Sequence, residues 1–216
     1  MVSAHWETTD LRVTGATDPG TPHDFQDFPP ALYQTRYPAP DQPELAAKIV
    51  GQLKAAGLNA QIDPGRLFDH GAWVTLSLLY PEAKIPVVQL SLPSKQGPAM
   101  QIRIGQALAG LREQDVLLIG SGSITHNLGE LDWQAGPEAV TPWAKAFRNW
   151  IVERLERGDT AALHDYLQQA PHARRNHPSA EHLLPLFFAR AAGQHFNIVH
   201  QGFALGALSM DIYRFD

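Results

Sequence analysis

Four histidines in this chain sit in contexts unlike a surface scatter: His5 in VSAHWET, His70 in FDHGAW, His126 in GSGSITHNL and His182 in HPSAEHLLPL. The 216 residues include ten histidines and no cysteine. Disulfides, thiolate ligands and a cysteine nucleophile are therefore excluded, and a metal site would have to use His, Asp and Glu. Neutral imidazole is both a metal ligand and an acid/base near pH 7. Nitrogen and oxygen donors without sulfur suit Fe(II), Mn(II) or catalytic zinc better than a structural zinc knot. Blander readings stand beside this one. His5 lies at a chain end, where chains fray. His70 fits a turn residue bonding the backbone, and His126 fits a cap partner for Asn127. His23 in TPHDF, His164, His172, His195 and His200 read as structural or solvated, and His177 reads as loop, five residues before His182.

These residues need elements to hold them. A β-branched run at 85–92 (IPVVQLSL) and an apolar run ending in glycines at 115–122 (DVLLIGSG) read as buried strands, with a helical pattern, PAMQIRIGQALAGLRE, between them. Strand, helix, strand predicts a right-handed crossover and a largely parallel central sheet. That order puts His126 just beyond the carboxyl end of a strand, where open α/β sheets bind ligands. Leu45, Ile49 and Leu53 recur every fourth residue and predict a helix over 41–57, with Asp41 as N-cap, Glu44 completing a capping box and Gly57 as stop. Further helices are expected from Thr141 and Pro142 to Gly158, then after an Asp159 cap, then from a Ser179 cap to Gly193, with Pro185 distorting the early turns of the last. That last helix would hold His182 in its first turn. There the helix dipole disfavours imidazolium, with Glu181 opposing the effect. Residues 11–42 read as a long ordered loop, and FNIVHQGF and ALSMDIYRF as closing strands. The expectation is a single α/β domain over 1–216, with a mixed, largely parallel sheet flanked by helices.

Composition narrows the function. A formal net charge of -5 and a sequence pI near 6.0 leave no basic stripe for phosphates, so no nucleic acid is expected. The apolar runs are too short to span a bilayer, and no basic-then-apolar leader opens the chain, so a cytoplasmic location is expected. Gly120-x-Gly122 fails the dinucleotide fingerprint because Thr125 stands at its third position. No P-loop, nucleophile elbow or H-E-x-x-H occurs.

Five blocks in order (VSAHWET, HDFQDFPPALYQTRYPAP, FDHGAWVTLSLLYPEAKIPVVQLSL, IGSGSITHNL and HPSAEHLLPLFFARAAG) resemble the class III extradiol ring-cleavage dioxygenases of the LigB superfamily, in the 4,5-DOPA dioxygenase branch. The resemblance runs nearly the full length. It implies a LigB-like fold and one non-haem Fe(II), or Zn(II) in some forms, at the carboxyl ends of the sheet. It implies His5 and His182 as ligands, and His126 as a further ligand or as acid/base. His70 is implied to line the substrate pocket and share the catalytic role, with His23 assisting. The implied substrates are a catechol and O2. Such proteins also carry an H-G-[SA]-P block and a first strand ahead of S-A-H-W. Neither is found here, so an amino-truncated domain missing one inner strand is expected. A non-catalytic, Memo-like metal-binding or interaction protein is the alternative, and a zinc hydrolase a third.

Overall fold

The computed structural model describes residues 1–16, 20–26, 29–136 and 138–216. In chain order the elements begin with β1 (Val2–Glu7), β2 (Leu11–Thr14), α1 (Pro43–Ala55), β3 (Ala60–Asp63), α2 (His70–Leu79), β4 (Leu90–Leu92), α3 (Gly97–Leu108) and β5 (Gly120–Ser121). There follow α4 (Pro142–Glu156), α5 (Thr160–His164), α6 (Tyr166–Gln169), α7 (Ala173–Asn176), α8 (Leu184–Ala192), β6 (Phe196–His200), β7 (Phe203–Ala204), β8 (Leu208–Ser209) and β9 (Ile212–Phe215).

The main sheet has the order β3-β2-β4-β1-β5. β1 runs parallel to both neighbours, β2 parallel to β3, and only the β2–β4 contact at Val13 and Leu90 is antiparallel. The sheet is thus mixed and mostly parallel. The expected crossover exists as β4–α3–β5, with its strands shorter than the apolar runs suggest. β1 is an interior strand between β4 and β5, and its alternation decides what the site receives. Val2, Ala4 and Trp6 are buried on one face, while on the other Ser3 is buried and His5 and Glu7 are open. The main core joins Val2, Leu90 and Leu92 of the sheet to Ile49 and Leu53 of α1, Ile104 and Leu108 of α3, Phe147 and Ile151 of α4, and Phe187 and Phe188 of α8.

Several expectations need correction. The stretch read as loop from residue 11 opens with β2; four residues are too few for alternation to show. Part of that stretch, 17–19 and 27–28, lies outside the described residues. Asp41 does not cap α1: Gln42 is the N-cap, without a side-chain bond, and Pro43 pre-sets the first turn. Asp159 does cap α5, accepting from the Ala162 amide. The helix expected from Ser179 starts only at Leu184, with Pro185 in its first turn, because Pro185 has no N–H to bond the Glu181 carbonyl and is best tolerated at a helix start. His182 therefore stands in a turn ahead of α8. The closing strands form a separate antiparallel pair, β6 with β9, off the main sheet.

A cavity of about 560 Å³ lies at the amino end of β1, between 85–88 and 115–119. The Met1 amino group is buried there and donates to Val88 O at 2.8 Å; burial pushes its pKa down to about 5.

Candidate metal centre

The four histidines of the sequence reading come together at the carboxyl ends of β1 and β5. The ring centroids of His5 and His70 are 3.9 Å apart, those of His5 and His182 4.9 Å, and those of His126 and His182 3.4 Å, the last pair stacked at 5°. Each ring arrives on a different element, so the cluster is a product of the fold.

The first pair depends on a buried carboxylate that the sequence reading did not single out. Asp69 is 1% exposed and is the N-cap of α2, its Oδ1 accepting from the Ala72 amide at 3.0 Å and from Ser3 Oγ at 2.7 Å. Its Oδ2 accepts from Gln89 Nε2 and lies 3.4 Å from Arg66 Nη2. Asp69 thereby ties β1, two residues before His5, to the helix start that carries His70. Gly71 completes the fit, since a Cβ there would run into Ser3 Oγ and into His5 Cδ2. An aspartate directly before an apolar helical run is an N-cap signature, and that signal could have marked Asp69.

The second pair sits on two strapped loops. Ser123 N donates to His182 O at 2.8 Å, His126 N to Asn176 O at 3.1 Å, and Asn127 Nδ2 to Arg175 O at 2.7 Å. Buried His177 bonds Ile124 O through Nε2 at 2.7 Å, two residues before His126. Gly122 lets the His182 carbonyl approach so closely that a Cβ would overlap it.

Burial favours the neutral form of three of these rings. Desolvation lowers the pKa of His5, His126 and His182, in the last case to about 4. After burial, repulsion from His126 lowers His182 further, while its bond to Glu181 works the other way. For His5 the repulsion comes from His70, opposed by Asp69 and Asp24. Burial raises the Glu181 carboxyl, but bonds from His182, its own backbone and Ser179 prevail and hold it below the usual range.

The donors fit a divalent ion. Ligand atoms of His126, Glu181 and His182 lie within 4.8 Å of one another. His182 Nδ1 is 2.9 Å from Glu181 Oε1, which assigns its proton to Nδ1 and leaves Nε2 with a free lone pair. This is the carboxylate–histidine arrangement that orients a metal ligand. His5 stands one ring contact away, against His182 and His70. A nitrogen-rich set with one carboxylate suits a divalent metal ion, and a wall of aromatic rings stands beside His70. Phe25 meets His70 edge-on at 5.7 Å, Tyr33 at 5.2 Å and Trp73 at 6.0 Å. His23 belongs to that wall, against Trp73 at 5.6 Å, with Nε2 3.2 Å from Thr35 O. Its neighbour Asp24, not His23, bonds His70.

Comparison with known proteins agrees. Residues 1–215 match a family model described as the catalytic LigB subunit of aromatic ring-opening dioxygenase. A Beta vulgaris protein, 4,5-DOPA dioxygenase extradiol, is 40% identical over 219 residues, spanning 100% of this chain and 81% of that protein. An Escherichia coli K12 protein of the same name is 38% identical over 216 residues, 97% of this chain and 79% of the relative. The crystal structure of an uncharacterized Escherichia coli K12 protein matches with a TM-score of 0.84 at 32% identity, covering 100% of this chain and 84% of that one.

Proposed function

The chain belongs to the LigB family of extradiol aromatic ring-opening dioxygenases, and on that premise we propose that it cleaves a catechol of the DOPA type with O2, using Fe(II) held by His5 and His182, with His126 beside it as acid/base or as a further ligand. The observation that carries this reading is the convergence of four histidine rings beside an aromatic wall. When bound, Fe(II) supplies the electron-transfer chemistry between an electron-rich catechol and O2. The residues do the rest. Phe25 and Tyr33, backed by buried Trp73, give an aromatic substrate rings to pack against. His70, between that wall and His5, faces a hydroxyl of a ring lying there and takes its proton. His126, held by its backbone rather than by a side-chain bond, is free to serve as ligand or to return a proton to the opening product. Glu181 orients His182.

The test is anaerobic Fe(II) loading followed by a panel of catechols and air, read with an oxygen electrode and by visible absorbance. One O2 consumed per catechol, with a yellow product, is expected. His126→Ala should then lower turnover by roughly 100-fold or more with most of the metal retained; equal loss of both makes His126 a ligand. No oxygen uptake by metal-loaded protein with any catechol refutes the proposal.

A further inference from the structure

We infer that Asp24 is a positioning residue that fixes the orientation and tautomer of His70, so that Nε2 is the nitrogen presented to substrate; this rests on the dioxygenase reading. The ring Nδ1 of His70 lies 2.9 Å from Asp24 Oδ1, and the His70 backbone N–H donates to the same oxygen at 3.1 Å. A carboxylate only accepts, so Nδ1 carries a proton, and in the neutral ring Nε2 carries the lone pair. Two bonds from one residue to one oxygen close a small ring that restricts rotation of the imidazole about its side-chain bonds. The ring also packs against Phe25, edge-on at 5.7 Å, and against His5, tilted at 45° and 3.9 Å away. Among the described residues His70 Nε2 has no partner.

Free neutral imidazole favours the other tautomer, with the proton on Nε2, so the structure makes a choice that solution would not. Asp24 gains this role from the loop that precedes α1, 46 residues from His70 in sequence. Its side chain is 37% exposed, so the pair adds little to stability. Its effect falls on which His70 nitrogen faces the cleft. A cap for the α2 backbone would need only the bond to the amide. The second bond, to the ring, is the one that bears on chemistry.

The test uses ¹⁵N-histidine-labelled protein with zinc bound, at a pH where the rings are neutral, with His70 assigned from a His70→Gln variant. Long-range ¹H–¹⁵N spectra should show His70 protonated at Nδ1 in the wild type and in Asp24→Asn, which keeps an acceptor oxygen. Asp24→Ala should return it to the Nε2-protonated form. In the iron-loaded protein Asp24→Ala should lower kcat by about 10–100-fold, with KM and metal content nearly unchanged and with Asp24→Asn recovering most of the loss. Wild-type His70 protonated at Nε2, or a tautomer unaltered in Asp24→Ala, overturns the inference whether or not any catechol is turned over. If the tautomer changes and no catechol reacts, the function is wrong and the positioning assignment stands.

Discussion

Acidifying this protein should cost it stability through His177. The side chain is 3% exposed; burial pushes its pKa down to about 4, only partly offset by the bond from Nε2 to Ile124 O. Nδ1 is buried with no partner among the described residues, so a proton added there would be a charge without an acceptor. In the unfolded chain the same ring titrates near 6.5. Below that value the unfolded state binds a proton that the folded state refuses. Stability therefore falls as pH drops through about 6.5 and stops falling below about 4. A gap of roughly 2.5 units at ~1.36 kcal/mol each amounts to about 3 kcal/mol, of which about 2 kcal/mol is lost between pH 7 and pH 5. His177→Gln removes the titration and keeps an N–H for Ile124 O. Urea unfolding of both proteins at pH 7 and pH 5, at fixed metal loading, isolates the effect, because the other histidines titrate in both. The stability advantage of the wild type over the variant should shrink by about 2 kcal/mol at pH 5. An advantage that is the same at both pH values would refute the reasoning.

Glu181→Gln replaces the carboxylate that orients His182, and zinc affinity measured by chelator competition should drop by about 10–100-fold; unchanged affinity would remove Glu181 from the site. Gly122→Ala places a methyl against the His182 carbonyl and Pro185 Cγ. Overpacking of this kind costs about 1–3 kcal/mol, and zinc affinity should fall in the same variant because His182 moves with its carbonyl. Wild-type values for both stability and affinity would contradict the strapped-loop account.

What the sequence shows of this fold follows from range. The β4–α3–β5 crossover is legible because its two apolar runs and the helical pattern between them are each self-contained. β2 and β3, four residues each, are defined by their partners and leave no local pattern. The α8 start was misplaced because Ser179 looks like a cap, whereas Pro185 and the turn bonds from Leu183 and Leu184 to Ala180 O decide where the helix begins. The histidines are legible as residue types in suggestive company. The pairings of two carboxylates that set them are not, since Asp69 meets Ser3 across 66 residues and Asp24 meets His70 across 46. No local spacing carries such a pairing.

The site is built as two halves with separate supports. His5 and His70 answer to Asp69, through Ser3 on β1, the cap of α2 and Gln89 beside β4. His126 and His182 answer to the bonds that strap 123–127 to 175–182, with His177 as the buried pin. The halves meet where His5 touches His182 edge-on. A metal that draws ligands from both halves therefore joins β1 to the loops after β5 and before α8. Its binding energy stabilises only conformations in which both supports are intact. On the proposed metal reading, the burial of Asp69 and His177 has a purpose: each fixes the backbone two residues from a proposed ligand, Asp69 through Ser3 and His177 through Ile124, and a shift of either half would pull that ligand away.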